Sequence, residues 1–164
     1  MKKMYNVIFP VFFLFLFPVS WIAILPINFL IDFLVFDVSM RHLKIADRKH
    51  LFFPAAWKIW GFGFLSDLIG CAVLFVLYLI GTSIPIFYDV IRGIAWNPYS
   101  NVVSLLLTVI SIFTAGCLIY FFNKKYSLKK TEMNEIQKQQ IALYLAIFTS
   151  PYVLLIPTMW LYTK

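Results

Sequence analysis

Four stretches of this chain are each apolar for at least the roughly 20 residues a helix needs to cross a bilayer, and lipid admits only helices or closed barrels. They run from Ile8 to Phe36, Trp60 to Ile80, Val102 to Phe122 and Ile141 to Tyr162. Barrel strands would alternate apolar and polar residues over about 10 positions. Runs such as VFFLFLF and VVSLLLTVISIF do not alternate. The expected fold class is all-α, a polytopic integral membrane protein with four transmembrane helices in two hairpins and one membrane domain over residues 1–164. With 62% hydrophobic and 13% charged residues, the chain is too apolar for a water-soluble enzyme or a disordered segment, and its 2 cysteines exclude a disulfide scaffold.

Charge sets the expected orientation. Ten of the 14 Lys and Arg residues lie in two connecting segments, 41–58 and 123–140, which the positive-inside rule makes cytoplasmic. The N-terminus, residues 81–101 and the C-terminus then face outward, in a cell membrane. Lys2 and Lys3 oppose this assignment because they must be translocated. They also resemble the start of a signal peptide, but the apolar run continues past Ser20 to Phe36 without a small-x-small cleavage site, so a retained span is expected. The inner-face Lys and Arg residues are placed to hold anionic lipid, at about 1 kcal/mol each. Topology accounts for the net charge of +7, which implies no nucleic-acid partner.

Local patterns predict two further helices. Ile84, Phe87, Ile91 and Ile94 at helical spacing suggest a short helix at the outer interface. Thr131 is the expected N-cap of a helix leading into the fourth span, ahead of Glu132 and Glu135.

Polar residues inside the spans narrow the functional question, since ionisable groups there usually face protein or water rather than lipid. Asn28 and Asp32 share a face of span one, and Asp67 on span two lies at a matching depth of roughly 10 Å from the basic end. Span two is only marginally apolar because it also carries Gly61, Gly63 and Gly70, so it needs a partner helix. Gly63, Asp67, Gly70 and Cys71 form one stripe, and Ser66 with Gly70 is a small-xxx-small pair. Asn28, Asp32 and Asp67 are therefore expected to converge. Such a cluster serves either as a proton or cation site, or as hydrogen-bonded packing between helices.

Span three carries a seam of Ser104, Thr108, Ser111 and Ala115, which suits a polar conduit or close helix packing. Pro26, which frees the Ile22 carbonyl near Asn28, is the expected hinge, and Pro151 and Pro157 lie within span four. Asp37 and Arg41 are spaced for a surface ion pair. Cys71 and Cys117 lie in different spans and read as free packing thiols. His42, Asp47 and His50 match no metal-ligand spacing, and no phosphate loop, serine-nucleophile motif, HExxH or Gly-x-Gly-Asp occurs. No enzyme activity, cofactor or metal is expected.

Two functions remain. The first is a non-enzymatic membrane component that forms a homo-oligomer or joins a partner subunit through the small-residue seams of Gly63, Ser66, Gly70, Ser104, Thr108 and Ser111. The second is a small proton- or cation-linked transporter or channel using Asp32 and Asp67, with Asn28 as neutral ligand. The orientation has its own test: a cysteine at Ser127 should resist an impermeant thiol reagent in intact cells, and labelling there would invert the topology.

Overall fold

A computed structural model describes residues 10–45 and 48–162. Ile8, Lys2, Lys3, Asp47 and Lys164 lie outside the described residues. Three helices within them are long and apolar enough to cross a membrane: Pro18–His42, Leu51–Thr82 and Val102–Ser127. The elements in chain order are α1 (Phe13–Leu16), α2 (Trp21–His42), α3 (Arg48–Thr82), α4 (Tyr88–Trp96), α5 (Val102–Phe122), α6 (Glu135–Thr149) and α7 (Met159–Tyr162). Three such spans stand in place of the expected four, because the last apolar run is interrupted; the first is interrupted too but keeps a span from Pro18 onward.

Proline explains both interruptions. The residue before a proline is pushed out of the helical region, and Phe17 is extended at φ −97° and ψ 120° ahead of Pro18. The break at the end of α1 recovers a backbone partner from a side chain: Trp21 Nε1 donates to the Phe15 carbonyl at 2.8 Å. Pro26, by contrast, sits on the exposed side of α2, which runs through it without a break. At the other end, Ser150 is extended ahead of Pro151, a 3-10 turn follows at Tyr152–Leu155, and Ile156 is extended ahead of Pro157. The expected span from Ile141 to Tyr162 is apolar throughout but is not one helix.

The expected basic loop 41–58 is also mostly helix. α3 starts at Arg48 rather than near Trp60, and its 35 residues extend roughly 52 Å by helical rise. The turn itself is short. α2 closes with Lys44 in the left-handed region at φ 50°, and the Ile45 N–H reaches back to the Met40 carbonyl at 3.1 Å. This is a Schellman-type stop with Lys where Gly is usual, at a conformational penalty of about 1 kcal/mol. Burial of Ile45 and Met40 in one cluster offsets it. The second basic segment likewise departs from expectation. Asn134, not Thr131, caps α6: its Oδ1 accepts from the Gln137 N–H at 2.8 Å, and Gln137 Oε1 accepts from the Asn134 N–H at 3.1 Å. Thr131 instead donates to the Leu128 carbonyl.

α2, α3, α5 and α6 close a ring, with α3 packed on α2 and α5, and α6 packed on the same two helices. Two apolar clusters fill the ends of the bundle. At the basic end, Phe36, Met40, Phe52, Ile59, Ile119 and Ile141 pack together. At the other end, Phe12, Phe15, Leu74, Ile94, Ile112 and Leu154 do so. The outward sides of the long helices expose Leu30, Leu34, Val76, Val109 and Phe113, an apolar belt suited to lipid.

The small-residue seams are used inside the chain. Ser66, Ser104, Thr108 and Ser111 are fully buried. Ser111 Oγ donates to the Gly70 carbonyl, and Ser104 Oγ donates to the Val90 carbonyl of α4 at 2.9 Å. A Cβ at Gly70 would meet the Ala115 Cβ at 2.8 Å, so α3 and α5 approach through a position where only glycine fits.

Two predictions follow from this packing. Gly70→Val should lower stability by roughly 1 to 3 kcal/mol through overpacking, read as a lower melting midpoint in detergent, whereas Gly61→Ala, with nothing within 4 Å, should leave it unchanged or slightly raised. The orientation test moves as well, because Ser127 is only 2% exposed. The exposed Lys130 is the suitable cysteine position, in a Cys117→Ser background.

Candidate functional site

A side-chain hydrogen bond within the bundle joins α2 to α3. Antiparallel neighbours with residues spaced four apart on each helix form two rungs: Asn28 faces Asp67, and Asp32 faces Gly63. Asn28 Nδ2 donates to Asp67 Oδ2 at 3.2 Å. A Cβ at residue 63 would lie 2.8 Å from Asp32 Oδ2, so the missing side chain of Gly63 makes room for the carboxyl. Trp60 Nε1 fastens the same pair of helices by donating to the Leu25 carbonyl at 3.0 Å. Asp32 and Asp67 are 5% and 4% exposed, although Asn28 remains half-buried. The three residues expected to converge are thus brought together.

Their surroundings include two residues that sequence reasoning missed. Thr149 adjoins the Asp32 carboxyl while its hydroxyl donates to the Leu145 carbonyl at 2.9 Å. Ser150, the next residue, ends α6, and its hydroxyl takes the Ala146 carbonyl at 2.6 Å. The available signal was the Thr-Ser-Pro run, since a hydroxyl beside a proline often satisfies a carbonyl that the break sets free. Tyr152 OH takes a further one, that of Ile147, at 2.6 Å. α6 therefore ends inside the bundle, and its C-terminus carries the negative end of the helix dipole.

A cavity of about 350 Å³ opens between these elements. Asn28, Asp32, Asp67 and Thr149 supply its polar wall, and residues beside both proline breaks, Phe15 and Pro151 among them, complete it. The two broken segments are also tied to each other, for the Val11 N–H donates to Thr158 Oγ1 at 3.1 Å. Asp67 Oδ1 is buried without a hydrogen-bond partner. A lone carboxylate oxygen in low dielectric is unfavourable, and two ionised carboxylates in one apolar cavity repel; a bound proton or cation relieves both conditions.

The remaining expected residues lie elsewhere. Ser66 donates to the Phe62 carbonyl of its own helix at 2.7 Å, and Thr108 to the Ser104 carbonyl at 2.9 Å. Gly70, Ser104 and Ser111 serve the contacts of α3, α4 and α5. Asp37 and Arg41 pair at 2.7 Å on the surface. Cys71 is buried, Cys117 is exposed, and both are free. His42 meets the Tyr144 ring at 6.1 Å. Among the described residues, no three His, Cys, Asp or Glu side chains are grouped to hold a metal ion.

The contact between Asn28 and Asp67 yields a stability prediction. Asn28→Ala should cost about 1 to 3 kcal/mol in thermal or chemical unfolding, because it removes a hydrogen bond made to the Asp67 carboxyl. Asp67→Asn keeps an acceptor for Asn28 and should change stability by less than about 1 kcal/mol. A large loss in the second variant would mean that the charge itself holds the fold. No protein-family model matches the chain, and neither a curated protein nor a solved structure matches it.

Proposed function

We propose that this chain is a small, non-enzymatic, proton- or cation-linked membrane transporter whose exchangeable site is the pair Asp32 and Asp67, with Asn28 as neutral ligand. One observation carries the proposal: two buried carboxyls, Asp32 and Asp67, line one cavity, and among the described residues Asp67 Oδ1 has no hydrogen-bond partner. Carboxyls that serve only to pack helices find partners for their oxygens, because an unsatisfied one is costly away from water. A buried carboxyl left incompletely paired beside space for a ligand suits a site that fills and empties.

The surrounding architecture supports a transporter over a continuous pore. Apolar clusters lie between the cavity and each end of the bundle, so access requires movement. Proline-interrupted segments border the same cavity on both sides, and discontinuous helices at midmembrane are the usual moving parts of ion-coupled carriers. In the membrane the basic ends face the cytoplasm of a cell membrane, where their Lys and Arg hold anionic lipid. Self-association or a partner subunit, the other function expected from the sequence, loses the surfaces it relied on, since the small-residue seams face inward.

Purified protein in liposomes with an internal pH dye tests the proposal. An imposed gradient of protons or of a monovalent cation, alkali or organic, should drive dye-reported flux in the wild type, and Asp32→Asn or Asp67→Asn should reduce it by at least ~10-fold. Absence of flux in the wild type, or unchanged flux when both residues are replaced, would overturn it.

A further inference from the structure

We infer that the species exchanged at the carboxyl pair is a lipophilic organic cation that enters sideways from the bilayer. The assignment rests on the proposed exchange at Asp32 and Asp67 and adds the class of substrate. Size is the first ground. A water molecule occupies about 30 Å³ in the liquid and an unhydrated alkali ion no more, whereas pockets for drug-sized molecules begin at about 300 Å³. The cavity, at about 350 Å³, belongs to the second class.

The walls agree with that size. A small hard ion must exchange its hydration shell for a shell of oxygens. Here, beyond the polar wall, the lining is aliphatic and aromatic, with Ile24, Val153, Phe15 and Tyr152 around the carboxyls. Apolar walls bury a hydrophobic body, aromatic rings attract a cationic centre, and the Asp32 and Asp67 carboxyls of the lining supply the opposite charge. A neutral molecule of the same shape would leave the carboxyl charge uncompensated, and an anion would be repelled.

The entrance is the second ground. Ile27 and Ile31 of α2 and Phe148 of α6 line the cavity and are also exposed on the bundle's outer surface, so the mouth lies between α2 and α6 on the side that lipid covers. A cation with apolar substituents partitions into this region and reaches the carboxyls without crossing either apolar cluster. Its arrival displaces one proton from the carboxyl pair, which conserves charge in the cavity without making or breaking a covalent bond.

Methyltriphenylphosphonium is the probe, with triphenylphosphine oxide as a neutral counterpart of similar shape. Wild-type protein in lipid nanodiscs should bind the cation saturably and release about one proton per cation into weakly buffered solution. Asp32→Asn and Asp67→Asn, checked for unchanged melting, should weaken binding by at least ~10-fold and abolish the proton release. Binding that persists in both variants, or equal binding of the phosphine oxide, is apolar partition and overturns the inference. Asp-dependent flux with sodium or potassium in liposomes, without saturable phosphonium binding, overturns the substrate class and leaves the exchange site standing. Failure of both experiments removes both proposals.

Discussion

A polar group inside hydrocarbon has no water to turn to, so every amide, carbonyl, hydroxyl and carboxyl of this bundle must find its partner within the chain. Much of the local structure follows from that requirement. The hydroxyls of Ser39, Ser66, Thr108 and Thr149 return to carbonyls of their own helices. Two tryptophans do the same between segments, Trp21 for the carbonyl of Phe15 and Trp60 for that of Leu25. At the breaks before Pro18 and Pro151, an indole or a hydroxyl takes a nearby carbonyl, which gives the interrupted first and last apolar runs backbone partners there.

Three buried side-chain atoms among the described residues escape the rule. Asn123 Oδ1 and Ser127 Oγ belong to the π-helical turn at Asn123–Ser127 at the basic end, four residues apart. Asp67 is different because the residue lines a cavity that also meets Asp32 and both broken segments. The bundle is thus layered: an apolar cluster at each end and a polar belt between them, reached from the outer surface at α2 and α6. Close helix approach at Gly63 and Gly70 makes that belt, since any side chain at either position would push α3 away from Asp32 or from Ala115.

Local spacing made part of this site legible. Residues four apart on a helix share a face, so Asn28 with Asp32, and Gly63 with Asp67, could be paired once the short turn between α2 and α3 made the helices antiparallel neighbours. Thr149 and Ser150 were not legible in the same way. Their place beside Asp32 depends on where α6 stops and on which side of α2 it packs, and neither is contained in the hydropathy of residues 141–162. The same limit hid the inward use of Ser104 and Ser111, because a stripe of small residues reads alike whether its partner is α3 of the same chain or a second molecule.

The sequence by itself determined the membrane class, the all-α architecture, the extent of α5 and the surface pair of Asp37 with Arg41, since each depends on composition or on contacts within one or two helical turns. Tertiary structure decided which prolines interrupt a span. Pro26 stays within a continuous helix whereas Pro18 and Pro151 end theirs, and summed hydropathy cannot distinguish them. What separates them is local geometry: an extended residue precedes each of the latter two, and side chains of Trp21, Ser150 and Tyr152 are in place to satisfy nearby carbonyls. The cavity beside Asp67 exists because those breaks occur where they do.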